Sequence, residues 1–119
     1  MKPAMLALVV VFCALGTVAC ADQEVVDACG KAAACGADQT QCITERQQSL
    51  GEIGGRCGDA RDEALAVYVC QGTLACDQRD QATYETTCAT ALTAYHDART
   101  AGAAAGAGGC TGAPEPVAP

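Results

Sequence analysis

The sequence predicts an all-α fold: a small disulfide-stapled bundle of about four helices, arranged as two helical hairpins. Three observations lead there. Ten cysteines in 119 residues is a density expected of an oxidised scaffold rather than of a thiol-kept enzyme. No Val/Ile/Thr-rich alternating run is long enough to propose a strand. Four segments between Asp22 and Ala105 combine capping residues with apolar positions at helical spacing.

The first helix spans about Gln23 to Cys35. Asp22 is its N-cap, Val25, Cys29 and Ala32 share one face, and Gly36 stops it. The second starts at Asp38, with Gln41 three residues on in a capping-box arrangement. It carries Ile43 and Leu50 seven apart and ends loosely at Gly51, Gly54 and Gly55. The third follows Gly58 and Asp59, sets Leu65, Tyr68 and Val69 at i, i+3, i+4, and runs to about Cys76. The fourth is capped by Asp77 or Asp80, and its stripe of Tyr84, Cys88, Ala91, Leu92 and Tyr95 is the clearest amphipathic face in the chain. Residues 101–109 are low-complexity Ala/Gly, with Cys110 tethered back to the body, and the Gly/Ala/Pro-rich tail 111–119 is expected to be disordered.

Residues 1–21 read as a signal peptide, in which Lys2 precedes an apolar run from Met5 to Leu15 and small residues follow it. That run is shorter than the roughly 20 apolar residues a bilayer span needs. Two cut sites are open. Thr17-Val18-Ala19-Cys20 has the form of a bacterial lipobox, which needs a thiol because the lipid is attached through sulfur; Thr17 departs from the usual aliphatic residue at that position. The alternative is cleavage after Ala19-Cys20-Ala21. The lipobox, with Cys20 lipidated, is preferred, and both sites imply export.

Either cut discards Cys13 and leaves eight cysteines for pairing: Cys29, Cys35, Cys42, Cys57, Cys70, Cys76, Cys88 and Cys110. Much of the remaining hydrophobic composition is alanine, and a core so poor in large side chains contributes only a few kcal/mol net. Each native bridge contributes roughly 2–4 kcal/mol, so the bridges decide whether the chain folds.

The spacing Cys29-x5-Cys35-x6-Cys42-x14-Cys57 is echoed by Cys70-x5-Cys76-x11-Cys88-x21-Cys110, a weak internal duplication. In each half two cysteines on an outgoing helix face two on the return, which suggests nested pairs: Cys35–Cys42 inside Cys29–Cys57, and Cys76–Cys88 inside Cys70–Cys110. Residues six apart on a helix differ by about 120° in direction, so one partner in each half must reach around or its helix must end early. Eight cysteines allow 105 connectivities, of which the nested set is the simplest.

The phrase Val67-Tyr68-Val69-Cys70-x5-Cys76-Asp77, followed by Cys88 and Leu92-x-x-Tyr95, resembles small cysteine-rich lipoproteins of myxobacteria and related bacteria. The opening Cys29-Gly30-x4-Cys35-Gly36 is similar to theirs, and the resemblance covers roughly residues 15–96. It rests on spacings and implies an envelope location and a helical architecture, with no catalytic residue to carry over. Plant lipid-transfer-like and fungal haem-binding eight-cysteine domains match in count, but their adjacent Cys-Cys or Cys-x-Cys pairs are absent here.

Fourteen acidic residues against seven basic ones give a net charge of −7. Such a surface disfavours nucleic acid and electrostatic attachment to anionic membranes, leaving a lipid anchor as the expected membrane contact. Zinc knuckles and thiol redox centres need cysteines two to four positions apart, and none here are that close. His96 is the sole histidine, and with only Ser49 available as a serine nucleophile no Ser/His/Asp set is convincing. Asp59, Asp62 and Glu63 lie where a helix start favours negative charge. Leu65, Tyr68, Tyr84, Leu92 and Tyr95 are candidates to line a small apolar pocket, although stripes at that spacing are usually core. The expectation is a cofactor-free, metal-free, non-enzymatic envelope lipoprotein that binds a partner protein or envelope polymer. The alternative is a soluble secreted carrier of a small apolar ligand held between the hairpins.

Overall fold

The computed structural model describes residues 21–119, so the expected signal peptide, apart from Ala21, and Cys20 lie outside the described residues. The fold is all-helical, with five α-helices among the described residues: α1 (Gln23–Ala34), α2 (Gln39–Arg56), α3 (Arg61–Gln71), α4 (Gln81–Thr87) and α5 (Ala89–Ala104). Short 3-10 turns at Gly58–Ala60, Cys76–Gln78 and Gly108–Gly112 join or follow them. No helix among the described residues is long and apolar enough to cross a membrane.

Local chemistry accounts for most of the boundaries. Asp38 caps α2 by accepting from the Gln41 N–H at 2.8 Å. Asp80 caps α4, accepting from the Thr83 N–H and its hydroxyl, both at 3.0 Å, and these bonds hold its carboxyl below the usual range. Asp22 is the N-cap residue of α1, its carbonyl accepting from the Val25 and Val26 N–H groups, but its side chain makes no capping bond and accepts instead from Arg61 Nη2 at 2.7 Å. Helices α1 and α5 end alike. Gly36 (φ 100°) and Gly106 (φ 98°) take the left-handed conformation, and the following residues, Ala37 and Ala107, donate back to Ala32 and Gly102. This is the Schellman arrangement that a residue without Cβ permits.

Other boundaries differ from the sequence reading. Helix α2 runs through Gly51, Gly54 and Gly55 to Arg56, because Leu50 before the glycines and Ile53 among them are fully buried. Helix α3 ends at Gln71, five residues before Cys76. Its buried face is Ala64, Val67, Tyr68 and Gln71, while Val69 is 44% exposed. The expected fourth helix is two, interrupted at Cys88, the residue bridged to α3.

Helices α1, α2 and α3 pack against one another, α3 also packs on α5, and α4 on α5. Val25, Leu50, Ile53, Val67, Tyr68 and Tyr95 are completely buried at the centre. All eight cysteines of the domain are paired, as Cys29–Cys42, Cys35–Cys76, Cys57–Cys110 and Cys70–Cys88. None of the four nested pairs forms. Cys29 points from the buried face of α1 into α2, whereas Cys35, beyond the end of α1, is directed away toward Cys76. The pairing nonetheless respects the duplication. Within each half the first cysteine joins the third, the second joins its counterpart in the other half, and the fourth joins the fourth.

The tail corrects a further expectation. Residues 113–119 are not helical, yet they lie across the bundle, with Ala113 buried and Val117 packed on the core. Polar side chains hold its backbone: the Val117 N–H donates to Tyr68 Oη at 2.9 Å, and Gln71 Nε2 donates to the Val117 carbonyl at 2.6 Å.

Candidate functional site

The five residues of the expected apolar pocket are brought together, and they form packed core. Tyr68 and Tyr95 are fully buried, Tyr84 is 2% exposed, and Leu65 and Leu92 pack on them from the rim. Two of the three hydroxyls are engaged. Tyr68 Oη donates to Ser49 Oγ at 2.8 Å, Tyr95 Oη donates to the Pro114 carbonyl, and Tyr84 Oη is buried without a partner. Burial pushes all three phenols above their ordinary pKa, because it penalises the charged form.

Ser49 and His96 have separate engagements. Ser49 is committed to Tyr68, and His96 Nε2 lies 2.5 Å from Glu115 Oε1 in the tail. Arg99 lies over the Tyr95 ring, bonds Glu115 Oε2 at 2.9 Å, and donates to the carbonyls of Cys110 and Thr111. His96 and Arg99 together clamp the tail. The eight cysteine sulfurs, all in disulfides, have no thiolate to offer a zinc ion. Asp62 and Glu63 lie in the first turn of α3, and Asp59 in the 3-10 turn before it, as the dipole argument expects.

A cavity of about 430 Å³ opens beside this core, between the α1–α2 turn and the Cys76–Gln78 turn. Cys42, Cys35 and Cys76, from two of the bridges, form part of its wall, together with Asp38, Gln41, Glu45, Arg46, Arg79 and the tail residues Ala118 and Pro119. Arg46 is only 7% exposed. Its Nη2 donates to Gln71 Oε1 at 3.3 Å and to the Ala118 carbonyl at 3.1 Å, and its guanidinium lies 5.6 Å from the Tyr68 ring centroid. Burial pushes the guanidinium pKa down; the charge of Arg79 adds to this, while Tyr68 and Glu45 oppose it. Arg79 donates through Nη2 to the Leu74 carbonyl at 3.3 Å, and its Nε is buried with no partner.

The two arginines were not singled out by sequence reasoning, although Arg46 leaves a trace there. Cys42, Arg46, Ser49, Leu50 and Ile53 all lie on the buried face of α2, so a cation interrupts an otherwise small or apolar stripe. Arg79 sits in a polar loop with no comparable pattern. No family model, no curated protein and no solved structure matches this chain.

Proposed function

We propose that this protein is a non-enzymatic module of a bacterial cell envelope, exported by its leader and tethered through lipid on Cys20, which presents a rigid acidic helical surface to a partner protein or surface polymer. The observation that carries this reading is the cysteine inventory. Of ten cysteines, the eight of the domain are all consumed in bridges, which marks an oxidising compartment. The remainder are Cys13, inside the apolar run of the leader, and Cys20, where the lipobox cut would fall. Cys20 occupies the position at which a lipobox requires its thiol.

Intact mass of the protein from its native host, before and after reduction with alkylation, tests this. The expected species begins at Cys20, carries acyl chains, and gains eight alkylated sites only after reduction. A lipid-free species beginning at Asp22 sinks the anchor and favours the second reading, a soluble carrier. Against that reading, the Tyr/Leu stripe that would line its apolar pocket is packed core, and the cavity of about 430 Å³ beside it is lined largely by charged and polar side chains.

A further inference from the structure

Five arginines lie in the described chain, and three have a carboxylate partner: Arg56 with Glu52, Arg61 with Asp22, and Arg99 with Glu115. Arg46 and Arg79 have none within ion-pair distance among the described residues, in a protein with twice as many acids as bases. These two line the same cavity. A buried cation without a counter-ion is costly, and Arg46 is in that position. An anion in the cavity would supply the missing counter-charge, with Arg79 on the same lining as a second cation, through charge-assisted bonds that are shorter and stronger than neutral ones.

We propose that the cavity between the α1–α2 turn and the Cys76–Gln78 turn binds a small organic monocarboxylate, whose carboxylate is held by Arg46 and Arg79. Glu45 and Asp38 line the same space and raise the cost of each further negative charge, which favours a monoanion over a phosphate dianion. Disulfide sulfur and Ala32 and Ala37 supply apolar contact for the ligand's body. This inference stands apart from lipid attachment and from the envelope partner, so neither result of the mass experiment affects it.

The test is a titration of the oxidised, 15N-labelled protein with sodium benzoate, followed at the arginine Nε–Hε resonances. Saturable shifts at Arg46 and Arg79, with Arg61 and Arg99 unmoved, are the expected result. Benzyl alcohol, which keeps the ring and lacks the charge, produces no saturable shift. Arg79→Gln keeps the helical circular dichroism and all four bridges, and weakens benzoate binding by roughly tenfold, as expected for losing one charge-assisted contact. Shifts that never saturate, that appear equally at all the arginines, or that benzyl alcohol reproduces overturn the site. Tighter binding of inorganic phosphate than of benzoate overturns the monocarboxylate assignment. Because the wild-type titration decides by itself, instability of the variant would not rescue the idea.

Discussion

The two ends of the molecule are held together by different physics. Helices α1, α2 and α3 bury Val25, Leu50, Ile53 and Val67 completely against one another, and apolar burial of that kind is worth about 1.5–3 kcal/mol per large side chain. Helix α5 buries only Tyr95 and Gly102 within its span. What holds it is the Cys57–Cys110 bridge, the contact of Gly102 with the sulfurs of that bridge, and the tail fastened by Tyr95, His96 and Arg99. An alanine-rich helix lacks the side-chain volume to build its own core, so it is secured by covalent and polar fasteners.

The largest expected effect comes from removing the fastener that α5 depends on. Cys57→Ser with Cys110→Ser opens a link between residues 53 positions apart and costs roughly 4 kcal/mol. Cys70→Ser with Cys88→Ser opens one spanning 18 and costs roughly 3 kcal/mol. Chemical denaturation ranks the two, and hydrogen exchange locates the damage: the first pair strips protection from α5 before α1–α3. Uniform loss of protection along the chain would break the distinction between the two ends.

A smaller effect tests the close approach at Gly102. A Cβ there would come within 2.5 Å of Cys110 Sγ and 3.1 Å of Cys57 Sγ, so Gly102→Ala costs about 1–3 kcal/mol by overpacking. Gly51 in α2 has nothing within 4 Å of the same position, and Gly51→Ala gains roughly 0.5–1 kcal/mol from helix propensity. Opposite signs in thermal melts are the expected outcome, and equal signs would mean that the bridge yields to accommodate a methyl group.

The subtlest test is alkaline titration. Burial raises the folded-state pKa of Tyr68, Tyr84 and Tyr95 above the unfolded value of about 10. The stability they contribute is therefore complete below about pH 10 and is lost as pH rises through the folded values. Tyrosinate absorbance should rise together with loss of helical circular dichroism. Should Tyr95 ionise before the helices melt, the α5 end opens on its own, which sharpens the contrast with α1–α3.

Helix class, the Asp38 cap, the Gly36 stop and the buried face of α1 were all legible in the sequence, and the α4 cap was narrowed to Asp77 or Asp80, because each depends on residues within one or two turns. Bridge pairing was not, since it depends on where Cys35 and Cys57 point after their helices have packed, and spacing carries no such direction. Pro114-Glu115-Pro116 looks like unstructured tail because its fixation comes from distant side chains, those of Tyr95, His96 and Arg99. Composition had the tyrosine stripe right as buried surface, yet it gave no sign that the cavity lies beside that stripe, around Arg46 and Arg79.

One property of the bridge network concerns damage rather than stability. The spans of Cys29–Cys42, Cys35–Cys76 and Cys57–Cys110 overlap, so every peptide bond between residues 29 and 110 lies inside at least one covalent loop. A peptidase that nicks the chain once in that interval releases no fragment. The nested pairs suggested by spacing would have left residues 58–69 outside any loop, and one nick there would have parted the halves. With the observed network, Arg46 and Arg79 stay on one covalent body after such a nick.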